Sequence, residues 1–240
     1  RVGVLLDRWG GDVILQARDL DIVQLCYEQQ FLTVDHLLPL FRGGQKDVVL
    51  RRIKKLQAAG LISVEKAHVS MGRTSLLRLT KKGNQLGAMR SAYDLPRAHS
   101  LDYRTLEHDT LVTTLRLRLR ELWDFTWVPE RALKDRYEIV PDGLVQFASG
   151  LAFAIEVENS MKGATRQRAI LDTWDRTAGV QMVIFVCTKP QVFDAWQRYL
   201  TEGPRRIAYA LLRWEELVAG HPVAWSPKGP LPLFERRGFG

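Results

Sequence analysis

Apolar and polar residues recur with two different periods along the chain. Over 19–29 (DLDIVQLCYEQ), Leu20, Val23 and Tyr27 fall at helical spacing, with Asp19 placed to cap the first turn. A second short helix is expected after Thr33 as its cap, with Val34, Leu37 and Leu38 on its apolar face. Gly43-Gly44 breaks the chain. In the third segment, QKDVVLRRIKKLQAAGLI, Val49, Ile53 and Leu56 form the apolar stripe, and Gly60 stands where a helix ends in a left-handed residue. The stretches LISVEKAHV and SLLRLT then read as two extended segments joined by a turn that contains Gly72 and Arg73.

Residues 91–100 (SAYDLPRAHS) lose all periodicity and carry a proline, which predicts a boundary and two domains, 1–98 and 99–240. A long helix is expected over 103–123. Its apolar face is Leu111, Val112, Leu115, Leu119 and Leu122; Arg116, Arg118 and Arg120 lie on the opposite flank, His108 on the apolar side and Glu107 at its edge. Strands follow at 125–129, 137–147 and 151–158, then a helix over 163–178 and the apolar strand VQMVIFVCT. A helix over 192–201 comes next, and RIAYALLRWEEL closes the domain as a strand with a short helix. The whole belongs to the α+β or α/β class, a small helical and hairpin domain followed by a mixed sheet flanked by helices.

Charge sharpens the division. The net charge is +8, and the first hundred residues hold 16 basic and 9 acidic side chains, leaving 19 basic and 18 acidic for the rest. The excess that would seek a polyanion therefore sits in the first part. Lys46, Arg51, Arg52, Lys54 and Lys55 surround the apolar stripe of the third helix, and Arg73 sits at the hairpin turn. Three helices, the last one basic, followed by a hairpin are the element order of a winged helix-turn-helix. The run Ile53-x-x-Leu56-x-x-x-Gly60-Leu61-Ile62 and the later Leu79-Thr80-Lys81-Lys82-Gly83 look like that fold. Such a helix fits the major groove of double-stranded DNA, with its cations against phosphates. A solvated basic face on a protein-binding module is the alternative.

Cys26 and Cys187 lie in apolar runs without metal-ligand spacing, and read as buried thiols in a reducing cytoplasm. No apolar stretch reaches the roughly 18–20 residues of a membrane helix, so no membrane insertion is expected. No signal peptide is visible, although the chain begins without Met. The absence of GxxxxGK[ST] and GxGxxG runs argues against a nucleotide-binding enzyme.

The segment YEIVPDGLVQFASGLAFAIEVENSMK carries the candidate chemistry. Strand alternation puts Glu156 and Glu158 on one face with Ala152 and Ala154, and Leu151, Phe153, Ile155 and Val157 on the other. A three-residue loop, Ala148-Ser149-Gly150, sets Phe147 opposite Leu151, Val145 opposite Phe153, and Asp142 opposite Glu156. Only this register keeps the large apolar residues of both strands together, and it puts glycine at the left-handed position. Three carboxylates then meet. Mutual repulsion raises their pKa values unless a cation sits among them, and Mg²⁺ or Mn²⁺ prefers such oxygen donors. An ion between Asp142 and Glu156, with Glu158 beside them, would activate a water and polarise a phosphate, with Lys162 offsetting developing charge. Solvated carboxylates at the edge of an α/β domain are the plainer alternative.

Pro141, Asp142 and Glu156 resemble, residue by residue, the motif of the PD-(D/E)xK nucleases, whose restriction-endonuclease-like core has the element order read above. At the third position that family usually has Lys, and this chain has Glu158; some restriction enzymes of the class carry Glu there and remain active. The chain also resembles the replication-relaxation group of plasmid proteins, in particular the MobC-type relaxases, in its size, its PDG…EVE…K run and its LEHD at 106–109. This resemblance implies site-specific nicking at the transfer origin of a mobilisable plasmid. It also implies a type IV coupling protein and an accessory mobilisation protein as partners. Relaxases that bind metal through two histidines one residue apart are a poor match, because His36, His68, His99, His108 and His221 form no such pair. Tyr137 is the nearest tyrosine to the acids in sequence, and nothing further supports it as a nucleophile. The competing expectation is a non-catalytic DNA-binding regulator of plasmid replication or transcription with a degenerate nuclease domain.

Overall fold

The computed structural model describes residues 14–41, 44–69, 72–96, 101–231 and 233. Gly43, the Ser70-Met71 part of the hairpin turn and residues 97–100 of the expected linker lie outside them. The chain divides into two compact units, Arg1–Leu117 and Arg118–Gly240.

The first unit opens with α1 (Ala17–Gln29), followed by β1 (Leu32–Thr33) and α2 (Val34–Leu37). After a single 3₁₀ turn come α3 (Lys46–Ala58), β2 (Ile62–Val69), β3 (Gly72–Leu79) and α4 (Lys81–Arg90). The three strands form an antiparallel sheet in the order β1-β3-β2. Leu20, Val23, Tyr27, Val49, Ile53 and Leu56 are all buried, as the periodicity requires. Thr33 caps α2 by accepting from the His36 amide at 3.3 Å, and Gly60 has φ +69° just past α3. Asp19 is not the cap of α1. Gln16 holds that position, and Asp19, three residues on, accepts from the Gln16 amide at 2.6 Å. The helix Lys81–Arg90 was not foreseen, although Thr80 caps it by accepting from Gly83 at 3.1 Å.

The long helix α5 (Leu106–Leu122) begins in the first unit, and the division falls within it rather than at the proline-bearing segment. Leu106 packs in a buried cluster with Phe31, Ala67 and Leu76. Arg116 is not on an open flank: it is buried and pairs with buried Glu28, whose carboxylate also accepts from Gln24 at 3.1 Å and Ser91 at 3.0 Å. His36 is buried with its Nδ1 accepting from the Thr33 amide at 3.1 Å, which leaves Nε2–H directed at the Thr110 carbonyl at 3.2 Å. Burial pushes the imidazole down to about 4, against smaller opposing effects of the Thr110 carbonyl and Asp35.

The second unit is a seven-stranded mixed sheet with helices in its connections. In chain order it contains β4 (Thr126–Pro129), the short α6 (Glu130–Leu133), β5 (Gly143–Gln146), β6 (Ala152–Glu158) and α7 (Ala164–Arg176). Then follow β7 (Met182–Cys187), α8 (Pro190–Thr201), β8 (Ala208–Arg213), α9 (Trp214–Val218), β9 (Ala224–Ser226) and β10 (Gly229–Leu231). The sheet order is β10-β9-β8-β7-β6-β5-β4. β4, β5 and β6 form an antiparallel meander; β6, β7 and β8 are parallel, joined by α7 and α8; β9 and β10 add an antiparallel edge. The core runs along the parallel centre, where Val183, Ile184, Phe185, Val186, Ala210 and Leu211 are fully buried. The expected strand 137–147 is much shorter, because Pro141 has no amide to donate and the ladder begins only at Gly143. Among the described residues no helix is long and apolar enough to cross a membrane.

Candidate functional site

The β5–β6 hairpin follows the register that apolar alternation predicts. Val145 lies opposite Phe153 and Gly143 opposite Ile155, and the Phe147 amide donates to the Leu151 carbonyl at 2.9 Å. Gly150 takes φ +87° and donates to the Phe147 carbonyl at 3.0 Å, closing the three-residue loop. The apolar face is real: Phe147 and Phe153 meet edge-on at 5.0 Å, and Trp123 packs against both at 5.6 and 6.2 Å. Gly143 is a packing requirement, since a Cβ there would overlap the Trp127 ring from β4. This close approach anchors β5 one residue after Asp142.

Asp142 lies one step before β5 and, in the continuing register, opposite Glu156. Its Oδ2 accepts from the Val157 amide at 2.6 Å, taking the place a strand carbonyl would have occupied and ending the ladder. Glu158 is buried and pairs with Lys162, which reaches back from the loop between β6 and α7. Glu156 is different. The residue as a whole is half-buried, yet its Oε1 is shielded from solvent and has no hydrogen-bond partner among the described residues. Its carboxyl is held well above the usual carboxylate range, chiefly by burial, then by the charges of Asp142 and Glu158, with Lys162 opposing and Glu130 adding a smaller push. Asp142, Glu156, Glu158 and Lys162 are therefore one electrostatic group.

No family model, curated protein or solved structure matches the chain.

The donor set suits a hard divalent ion. A buried carboxyl oxygen without a hydrogen-bond donor, close enough to two further carboxylates to feel their charge, is an arrangement that a proton or a cation relieves. Among the described residues no group of three or more His, Cys, Asp or Glu side chains is arranged to hold a metal ion, and Asp142 and Glu158 each engage a protein donor. Glu156 with Asp142 would hold such an ion, and Glu158 would join only by sharing itself with Lys162. Burial and the Glu158 charge also raise the Cys187 thiol, which pairs with Glu158 across the parallel strands and stays protonated.

The basic residues separate into two kinds. Lys46, Arg51, Lys54 and Lys55 are exposed on α3, and Arg73 is exposed near the start of β3. Arg52 is not one of this set: its guanidinium pairs with fully buried Asp19 and donates to the Ile14 carbonyl at 2.9 Å, joining α3 to α1. Its sequence neighbours look identical in charge, and only the buried acid 33 residues away distinguishes it. Lys66, which sequence reading passed over, is exposed on β2 and donates to Ser75 at 2.5 Å. Because His68 pairs with Arg73 and Lys66 with Ser75, strand alternation puts Lys66 and Arg73 on one face of the hairpin. Glu107 is exposed and His108 half-buried on the part of α5 that falls in the first unit. Tyr137 is half-buried, 6.4 Å from the Trp174 ring.

Proposed function

We propose that this chain is a DNA-binding, divalent-metal-dependent endonuclease in which the first unit is a winged helix and the second a PD-(D/E)xK nuclease. The observation that carries the proposal is the register setting Asp142 opposite Glu156, with a Glu156 oxygen that lacks a hydrogen-bond donor. Asp142 and Glu156 would hold Mg²⁺ or Mn²⁺, and such an ion, when bound, would supply Lewis-acid activation of water and phosphate. Lys162 stands four residues past Glu158, at the start of the connection to α7, and supplies the cation that the family usually carries at position 158. The meander β4-β5-β6, a helix and the parallel strand β7 support the fold assignment. For the first unit the support is a short strand between its first two helices and a hairpin after the basic one. Exposed Lys46, Arg51, Lys54 and Lys55 then lie against phosphates of double-stranded DNA, with Lys66 and Arg73 on the hairpin. In the reading that the relaxase resemblance implies, the DNA is a plasmid transfer origin nicked in one strand. An accessory mobilisation protein and a coupling protein are then the partners, and the cytoplasm is the setting.

Supercoiled DNA with Mg²⁺ or Mn²⁺ tests the proposal. Wild type converts it to open circles, whereas Asp142→Ala and Glu156→Ala, checked for folding by circular dichroism, do not. Equal nicking by all three proteins refutes it. A second reading, a DNA-binding regulator with a silent nuclease domain, is favoured by the engagement of Lys162 with Glu158, which uses the lysine charge internally. Under that reading all three proteins shift labelled DNA equally and none nicks it.

A further inference from the structure

Extending the sheet registers one step beyond each strand uncovers a longer acidic row than the motif contains. Pro129 pairs with Gly143 and Gly143 with Ile155. The next residues outward are Glu130 on the first chain segment, Asp142 on the second and Glu156 on the third. Three neighbouring segments thus each contribute a carboxylate at the same level of the sheet. Glu130 opens the short helix α6 and is exposed. The second observation is the one already described: the Glu156 oxygen in this group is shielded from water and has no hydrogen-bond donor.

We propose that Glu130 is a fourth carboxylate of the cation pocket, holding the ion through one of its waters while Asp142 and Glu156 bind it directly. Its exposure and its place next to Asp142 in the continuing register, one segment away from Glu156, put it in the outer position. A carboxylate there accepts hydrogen bonds from metal-bound water, fixing where that water points and retaining the ion. Glu158 is poorly suited to this task, because it is buried. Sequence gives no hint of Glu130, which lies 12 residues before Asp142 and outside any acidic motif.

The inference rests on the cation-pocket reading, and Mn²⁺ titration of the purified full-length chain, followed by the paramagnetic signal of free Mn²⁺, separates the two. Glu130→Gln is expected to weaken Mn²⁺ binding about tenfold, the usual effect of losing an outer partner. Its circular dichroism spectrum without metal should stay that of wild type. Glu156→Gln is expected to lose binding altogether. Glu138→Gln, an exposed acid of the same unit, serves as the control for net charge and is expected to bind as wild type. If wild type binds Mn²⁺ and Glu130→Gln binds it equally well, the role of Glu130 is overturned and the pocket survives. Equal weakening by Glu138→Gln overturns the role too, as does failure of wild type to bind any Mn²⁺, which removes the pocket as well.

Discussion

Replacing Glu156 by Gln keeps the volume of the side chain and removes the charge that its surroundings resist. In the folded chain this carboxyl holds its proton to a pH well above the ordinary value of 4.5, mainly through burial and the neighbouring Asp142 and Glu158. The unfolded chain releases the same proton near 4.5. The sign follows: below that pH both states are protonated and stability is greatest, and as pH rises the folded state binds more protons than the unfolded one. Wild type therefore loses about 1.4 kcal/mol for each pH unit, until the folded carboxyl itself ionises. For a unit of about 120 residues that slope is about 5 °C per pH unit. Glu156→Gln carries no such slope, so its melting temperature overtakes that of wild type as pH rises toward neutrality. Tryptophan fluorescence reads the relevant unit, because six of the seven tryptophans lie after residue 117. Titrating groups remote from Glu156 are common to both proteins and cancel in the difference. Saturating Mn²⁺ reverses the order, adding about 2.7 kcal/mol at a hundredfold excess over its dissociation constant to wild type alone. Parallel melting curves for the two proteins from pH 4.5 to 8, without metal, would refute the reasoning.

Arg52→Ala leaves buried Asp19 uncompensated and is expected to cost about 3–5 kcal/mol in urea denaturation, whereas Lys54→Ala and Lys55→Ala stay within about 0.5 kcal/mol; equal effects would remove the distinction drawn on α3. Buried His36, held down to about 4 against 6.5 when free, makes the first unit lose stability as pH falls from 6.5 to 4, by about 3 kcal/mol in total. Hydrogen exchange of the α2 amides at pH 7 and pH 5 detects this loss, and Asn at position 36 abolishes it. DNA affinity measured against salt should fall steeply, and combined replacement of Arg51, Lys54 and Lys55 by Ala should flatten the logarithmic slope by about 2–3; an unchanged slope assigns the phosphate contacts elsewhere.

The central sheet was legible because its strands are long, apolar and bounded by turns, and the hairpin register because only one pairing keeps Phe147 and Phe153 on the same side. The α4 helix escaped notice because Gly83 and Gly87 weaken its propensity, and packing against the first helix compensates for that only in three dimensions. β9 and β10 are three residues each, with Pro227 in the turn between them and Pro230 inside β10, so no alternation accumulates. At the candidate site, acids close in sequence were found and Glu130 was not. Its relation to Asp142 is a cross-strand one, visible only once β4 is paired. Arg52 and Arg116 show the converse limit: a basic residue on a helix reads as solvent-facing unless its distant acid, Asp19 or Glu28, is known to be buried beneath it.

The passage from one unit to the next inside α5 sets a rule for dissecting the chain. A cut at residue 98 removes Leu106 from its cluster, the Thr110 carbonyl from His36 and the guanidinium from Glu28, so the amino-terminal piece would emerge with its interior open. A fragment reaching at least Leu117 keeps all three. A recombination point at the proline would likewise part the first unit from the opening turns of the helix that complete its interior.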